Sequence, residues 1–175
     1  MKTIAMEKLD ANFKFEVSRK PGGENIKKCY ACGTCTAGCP VFQVETGYNP
    51  RRLIRMILLG MRREVLSSKV IWLCIRCYTC TANCPQDVDF SNIMMALRDM
   101  AVEEGHAPPD LQERIDRIGT AAHEFRRDCI NLLLGMGDGS ESVARVSVEK
   151  ALAEATGKGT GDAGGKAAAD AAGKE

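Results

Sequence analysis

The sequence predicts a mainly α-helical domain with two cysteine-rich loops between helices, followed by a disordered C-terminal tail. Three features indicate this fold class. One cysteine motif occurs twice, and apolar residues recur at the helical spacings of three and four after each copy. Residues 157–175 contain six glycines, six alanines and no large apolar side chain, so they cannot bury enough surface to offset the entropy of ordering.

The composition limits the size and the partners of the protein. A chain of 175 residues forms one domain, or a small domain with appendages. The formal net charge of +1 favours neither nucleic-acid binding nor attachment to an anionic membrane. The longest apolar stretch, at 53–61, is interrupted by Arg55 and is much shorter than a membrane-spanning helix. We therefore expect no nucleic-acid partner and no transmembrane segment.

Cysteine usage indicates the compartment. The N-terminus, MKTIAMEKLDANFKFEV, has neither the apolar run nor the cleavage site of a signal peptide. A cytoplasmic location is therefore expected, where clustered cysteines favour metal or redox chemistry over structural disulfides. The odd number of cysteines, nine, also argues against a closed disulfide framework.

Changes in composition divide the chain into four segments. They are an N-terminal lead-in (1–28), a helical domain with both cysteine motifs (29–105), a C-terminal helical extension (106–139), and a short helix followed by the Gly/Ala/Lys tail (140–175). Within the lead-in, Phe13, Phe15 and Val17 alternate with polar residues, which predicts a short strand or an extended strap.

The repeated motif predicts iron–sulfur clusters. CYACGTCTAGCP (29–40) and CIRCYTCTANCP (74–85) are identical at eight of twelve positions. Cysteines at C-x2-C-x2-C spacing place three thiolates around one compact inorganic core, and in two-cluster proteins the fourth cysteine, before proline, binds the other cluster. We therefore predict two [4Fe–4S] clusters that exchange their last ligand. The predicted ligands are Cys29, Cys32, Cys35 and Cys84 for the first cluster, and Cys74, Cys77, Cys80 and Cys39 for the second.

Other uses of these cysteines fit the pattern less well. A zinc site takes two pairs of ligands, and a triplet plus one does not divide that way. A thiol oxidoreductase has one C-x-x-C pair in a thioredoxin-like βαβ unit, which is absent from the pattern. No nucleotide-binding glycine motif opens a helix, and His106 and His123 lie far along the chain from both motifs. No nucleophile with a base and an orienting group can be assembled, so we predict no catalytic residues.

A helix is predicted between the motifs. Asn49 and Pro50 supply an N-cap and a first-turn proline. The apolar residues that follow share one helical face for about four turns, and Gly60 is expected to weaken the helix without ending it. These apolar residues are Leu53, Ile54, Ile57, Leu58, Met61 and Val65.

A second helix is predicted after the second motif, with Asp89 or Ser91 as its cap and Gly105 at its end. Its apolar face comprises Ile93, Met94, Leu97 and Ala101.

A third helix is predicted after Pro108 and Pro109, capped by Asp110. Its apolar residues follow a heptad pattern, either because the helix lies on the cluster domain or because it docks another subunit. The pattern comprises Leu111, Ile115, Ile118, Ala122, Phe125, Cys129 and Leu132. Within it, Cys129 is predicted to be a small buried apolar residue and not a ligand.

Basic residues accompany both motifs, and cations near an anionic cluster stabilise its reduced state. An ordinary solvated helix face explains them equally well, so both interpretations stay open. The residues are Lys27, Lys28, Arg51, Arg52, Arg55, Arg62, Arg63 and Arg76. Gly33 in one loop and Tyr78 in the other are the main steric difference between the loops, and we expect the two clusters to differ in potential.

The two motifs, the helical spacer and the following DFSNIMMALRDM (89–100) together resemble the helical ferredoxin module. That module occurs in iron–sulfur subunits of succinate dehydrogenase, anaerobic glycerol-3-phosphate dehydrogenase, glycolate oxidase and heterodisulfide reductase. The first of these carries a preceding [2Fe–2S] domain, and the next two carry Cys-Cys-Gly domains. This sequence has neither, and over roughly residues 24–135 it most resembles the soluble C subunit of heterodisulfide reductase.

The resemblance implies a non-catalytic electron-relay subunit of an oxidoreductase complex. Its implied partners are an A subunit, which is a flavoprotein that also contains clusters, and a B subunit whose Cys-Cys-Gly domains reduce a disulfide. In methanogens, whose anaerobic metabolism produces methane, that disulfide joins coenzymes M and B. Two alternatives remain: an iron–sulfur subunit of another anaerobic dehydrogenase or quinone oxidoreductase complex, and a free ferredoxin.

Overall fold

The structure of the protein is a computed structural model that describes residues 6–136 and Ala153. Throughout this part of the chain the regular elements are helices, which confirms the predicted mainly α fold. The α-helices are α1 (Phe13–Arg19), α2 (Thr34–Ala37), α3 (Pro40–Val44), α4 (Pro50–Leu58), α5 (Arg62–Leu66), α6 (Thr79–Ala82), α7 (Phe90–Glu103) and α8 (Leu111–Leu133). Short 3-10 helices span Met6–Lys8, Ile26–Lys28 and Lys69–Leu73. The chain divides into two compact units after Gln112.

The predicted strand in the lead-in is wrong, because these residues form α1. Phe13 and Val17 are fully buried, whereas Phe15 is exposed. Residues four apart lie on the same face of a helix, so the pair fits a helix as well as it fits an alternating strand. Three apolar residues were too few to distinguish the two periods, and packing of Phe13 and Val17 into the core decided in favour of the helix.

Helix α4 begins as predicted. The Asn49 side chain accepts a hydrogen bond of 3.0 Å from the backbone N–H of Arg52, and Pro50 occupies the first turn. Leu53 and Ile57 on its apolar face are buried in the core of the first unit. The cap satisfies one of the N–H groups that a helix leaves without a partner at its start.

The prediction that this helix continues through Gly60 is wrong. Helix α4 ends at Leu58, and a separate helix, α5, follows. Gly60 has φ +78°, a left-handed conformation that interrupts a helix, and its carbonyl accepts a 2.7 Å hydrogen bond from the N–H of Asp10. The lead-in therefore passes directly against Gly60, and this contact divides the helix.

Helix α7 confirms the predicted second helix. The Asp89 side chain caps it by accepting from the N–H of Asn92, and Gly105 follows its end with φ +71°. The predicted apolar residues Ile93, Met94, Leu97 and Ala101 are all buried. Helix α7 packs against α1, α5 and the 3-10 helix Lys69–Leu73. The second cysteine loop follows this 3-10 helix directly in the chain.

Helix α8 confirms the third predicted helix. Ile118 and Phe125 of the heptad pattern are each 41% exposed. Cys129 is half-buried, which is less burial than we predicted. The two predicted roles of the apolar pattern stay open. No helix in the described part of the chain is both long and apolar enough to cross a membrane.

The short helix predicted within 140–156 lies outside the described residues, except for Ala153. The tail predicted to be disordered, 157–175, also lies outside them.

Candidate iron–sulfur site

The two cysteine loops share one backbone conformation. In the first loop, Ala31 and Gly33 have positive φ angles of 60° and 94°; in the second, Arg76 and Tyr78 have 54° and 60°. Left-handed conformations at alternate residues curl the chain around a centre. They cost an L residue about 1–2 kcal/mol each, so three of these four positions are held against a local preference. Each loop then enters a one-turn helix, α2 or α6, before its last cysteine.

The cysteines line two cavities that are partly open to solvent, with about 350 Å³ and about 290 Å³ of empty space when that solvent is included. The structure brings Cys84 of the second motif beside the first three cysteines of the first motif. It also brings Cys39 of the first motif beside the first three cysteines of the second, and Cys80 borders both cavities. The first cavity is lined by Cys29, Cys32, Cys35, Cys80 and Cys84, and the second by Cys39, Cys74, Cys77 and Cys80.

The surroundings of the thiols fit a positively charged inorganic core. Burial raises the pKa of Cys35 to about 11 and also raises the pKa of Cys80. Cys32 is exposed, and its hydrogen bond with Thr34 lowers its pKa. A buried thiol becomes a thiolate at neutral pH when a metal supplies compensating charge. Among residues 6–136 and 153, no three His, Cys, Asp or Glu side chains form a site for a single metal ion.

A threonine joins the first cysteine loop to the helix that follows it. The Thr36 hydroxyl donates to the side-chain oxygen of Asn49 over 3.1 Å and accepts from the N–H of Arg51 over 3.0 Å. The helix cap and the loop are therefore fixed to each other.

The second loop repeats this arrangement. The Thr81 hydroxyl donates to the Asp89 carboxylate over 2.9 Å and accepts from the N–H of Ser91 over 3.4 Å. The sequence predicted both caps but not their threonine partners. The shared C-T-A in the two motifs was the available signal.

Comparison with known proteins identifies the relatives of the chain. Residues 25–88, which include both motifs, match the model of a 4Fe-4S dicluster domain. Over 113 residues the chain is 40% identical to the iron–sulfur C2 subunit of the CoB–CoM heterodisulfide reductase of Methanocaldococcus jannaschii, covering 61% of this chain and 60% of that protein. Over 109 residues it is 40% identical to the C subunit of the ferredoxin:CoB–CoM heterodisulfide reductase of Methanosarcina mazei, covering 62% and 66%. The chain is therefore similar to the C subunits of heterodisulfide reductases over its dicluster domain and the residues beside it.

A protein of Archaeoglobus profundus that is named for its likeness to the heterodisulfide reductase C subunit is 34% identical over 89 residues, covering 51% of this chain and 47% of that protein. The chain thus spans about half to two thirds of the length of these curated relatives. The predicted resemblance to heterodisulfide reductase C subunits and the predicted cofactors, two [4Fe–4S] clusters, are confirmed. The chain is an iron–sulfur protein, and its clusters supply one-electron chemistry when bound.

Residues outside the motifs complete the two cavities. The residue before each helix cap is buried and faces the cavity of the other motif: Val88 lines the first cavity and Tyr48 the second. The N–H of Val88 donates to the Cys84 sulfur over 3.3 Å. Burial raises the pKa of Tyr48, and so do the charge and the hydrogen bond of the Cys74 side chain. Sequence reasoning missed both residues, because nothing in the chain marks a tyrosine or a valine as facing a cluster.

The basic residues near the two motifs do not act as one group. Arg51 lines the first cavity and Arg76 the second. Arg62 instead forms ion pairs with Asp10, Glu16 and Glu104, at 3.0, 2.7 and 2.7 Å. Proximity to a cluster site therefore accounts for the positions of Arg51 and Arg76, whereas ion pairing within the scaffold accounts for the position of Arg62.

Proposed function

We propose that this chain is the electron-relay subunit of a heterodisulfide reductase-type complex. In this role it carries electrons from a flavin- and cluster-containing A subunit to a disulfide-reducing B subunit. The observation that carries the proposal is the pair of cysteine-lined cavities within one compact unit. The names of the relatives support the kind of complex.

The proposal includes the ligands of each cluster. Cys29, Cys32, Cys35 and Cys84 hold the first cluster, and Cys74, Cys77, Cys80 and Cys39 hold the second. The lining of the cavities supports this exchange, because each fourth cysteine lies beside the triplet of the other motif. Cys80 borders both cavities but belongs to the second triplet, and its sulfur lies 3.3 Å from the Ser91 hydroxyl behind the second loop.

Cluster content tests the ligand assignment. The full chain, purified without oxygen, is expected to contain about eight irons and eight acid-labile sulfides. Cys84→Ser is expected to weaken the first cluster and to change one of two EPR signals of the reduced protein. Cys129→Ser is the matched control, since this half-buried cysteine lies on α8 and lines neither cavity, and it should leave both signals unchanged. Markedly less iron, or zinc in its place, contradicts the assignment.

Purification from the native source tests the complex. A tag on the chain is expected to retain, in constant ratio, a flavoprotein and a protein with Cys-Cys-Gly domains. The exposed apolar side chains of α8, including Phe125, favour such a fixed complex over a freely diffusing carrier. Recovery of the chain alone, with both clusters intact, contradicts the proposed relay and supports a free ferredoxin.

A further inference from the structure

The two halves of the cluster domain correspond at several positions beyond the cysteines. The threonine contacts align the cap of α4, Asn49, with the cap of α7, Asp89. The 3-10 helices before the two motifs also correspond, and each buries one isoleucine, Ile26 or Ile71. Helix α4 packs on the first 3-10 helix as α7 packs on the second. Positions counted from the caps therefore occupy equivalent places, and differences between them distinguish the two cluster sites.

The first difference lies one residue before each cap. Tyr48 at the second cavity corresponds to Val88 at the first, and both side chains are buried. Tyr48 is only 1% exposed and lines the second cavity together with Cys74. A valine offers no donor in its side chain, so the second site has a buried hydroxyl where the first has methyl groups.

The second difference lies nine residues after each cap, where Arg98 of α7 corresponds to Leu58 of α4. Arg98 is only 1% exposed. Its guanidinium donates to the carbonyl of Ile71 over 3.0 Å and to the carbonyl of Cys74 over 2.8 Å. The half-buried Leu58 has no group that can donate to the first loop. Since the fold accepts leucine at this position, the buried arginine is a property of the second site alone.

These two residues have the same effect on the cluster that they adjoin. A one-electron reduction adds one negative charge to a cluster. Polar groups that can donate hydrogen bonds near the ligand sulfurs, and a permanent cation behind the loop, both favour the more negative state. The effect is larger in the protein interior than at the surface, because water and salt screen exposed charges.

One cation acts in the opposite direction. Arg51 lines the first cavity and would favour reduction of the first cluster. Its side chain is exposed, so solvent screens its charge, whereas Arg98 and Tyr48 are shielded.

The first site also has two backbone donors, since the N–H of Ala31 donates to the Cys29 sulfur over 3.4 Å and the N–H of Val88 to the Cys84 sulfur over 3.3 Å. These donors are neutral, whereas Arg98 carries a full charge in the protein interior, so the buried pair outweighs both Arg51 and the backbone donors.

We propose that the second cluster has the higher midpoint potential, set by Tyr48 and Arg98, so that electrons pass through this chain from the first cluster to the second. The inference rests on the ligand assignment of the proposed function. Arg98 acts through the Cys74 backbone and is a positioning residue, whereas Tyr48 lines the second cavity beside the ligands.

Redox titration of the full chain under anaerobic conditions, followed by EPR, tests the inference. The wild type is expected to show two midpoint potentials that differ by more than about 59 mV, which corresponds to a tenfold ratio of the one-electron equilibrium constants. Cys77→Ser alters a ligand of the second cluster and assigns its midpoint. Cys32→Ser, at the equivalent exposed position, assigns the first.

Tyr48→Phe removes a single oxygen and is expected to lower the higher midpoint while leaving the other unchanged. Arg98→Met is expected to do the same, with partial recovery in Arg98→Lys, which keeps the charge. Leu58→Met, at the position equivalent to Arg98, is the control and should shift neither midpoint.

The outcomes separate this inference from the proposed function. The inference is overturned if Cys77→Ser assigns the lower midpoint to the second cluster, or if Tyr48→Phe shifts neither midpoint in protein with full iron content. If the Arg98→Met variant fails to retain its clusters, the Tyr48→Phe variant still tests the inference. Phenylalanine keeps the buried ring, so this variant is expected to fold and to hold both clusters. A wild-type chain without about eight irons overturns the proposed function instead.

Discussion

Replacement of Gly60 by alanine measures how strongly the lead-in and the helical spacer depend on each other. A Cβ atom at this position would lie 2.3 Å from the carbonyl oxygen of Asp10 and 2.7 Å from its carbonyl carbon. Backbone atoms cannot move aside as a flexible side chain does. The φ of +78° adds a cost of about 1–2 kcal/mol for any L residue.

The magnitude follows from three contributions. Overpacking of this kind costs about 1–3 kcal/mol. Displacing Asp10 also weakens the 2.7 Å hydrogen bond from its N–H to the Gly60 carbonyl, worth about 1 kcal/mol. With the backbone cost, Gly60→Ala is expected to destabilise the protein by about 3–6 kcal/mol.

Gly105→Ala is the matched control. Gly105 has nearly the same φ, +71°, but a Cβ there meets no atom within 4 Å. It should therefore cost only the backbone term of about 1–2 kcal/mol. The difference between the two variants, about 2–4 kcal/mol, isolates the contact with Asp10 and corresponds to about 8–16 °C in Tm, at about 4 °C per kcal/mol.

The assay is thermal unfolding of anaerobic, cluster-loaded protein, followed by circular dichroism and by cluster absorbance at one scan rate. Equal losses of Tm in Gly60→Ala and Gly105→Ala would refute the reasoning. They would mean that the lead-in does not press on the spacer and that φ alone explains the break between α4 and α5.

Three further predictions concern the caps, the ion pairs and the thiols. Asn49→Ala and Asp89→Ala each remove a helix cap, and each is expected to lower the free energy of unfolding by about 1 kcal/mol in a denaturant titration. If neither variant loses stability, the capping role is contradicted. Arg62→Met removes three partly exposed ion pairs, so we expect a loss of about 1–2 kcal/mol at low salt that shrinks in high salt; a loss independent of salt would point to packing instead. Clusters are expected to be lost faster at about pH 6 than at about pH 8, measured by absorbance, because protons compete with iron for the thiolates. Burial raises the pKa of the Cys35 thiol to about 11, which strengthens this competition as the pH falls, and a pH-independent rate contradicts the prediction.

Local chemistry in the sequence was sufficient for several features of the protein. The spacing of the cysteines predicted the kind of cofactor and the number of clusters, because thiolates that lie so close along the chain can only surround a compact core. The caps of α4 and α7 were also predictable, since a cap is a contact between residues three apart in sequence.

Contacts between distant segments decided the rest. Phe13 became helical because the core accepts residues four apart, and α4 ends early because Asp10, fifty residues away, lies against Gly60. The same holds at the clusters, where Tyr48 and Arg98 come to the second site from outside its motif. The sequence by itself thus determined the kind and number of clusters and the helices beside them, because these depend on neighbouring residues. The tertiary structure alone decided what surrounds each cluster, because burial and hydrogen bonding at a site are properties of the packed chain.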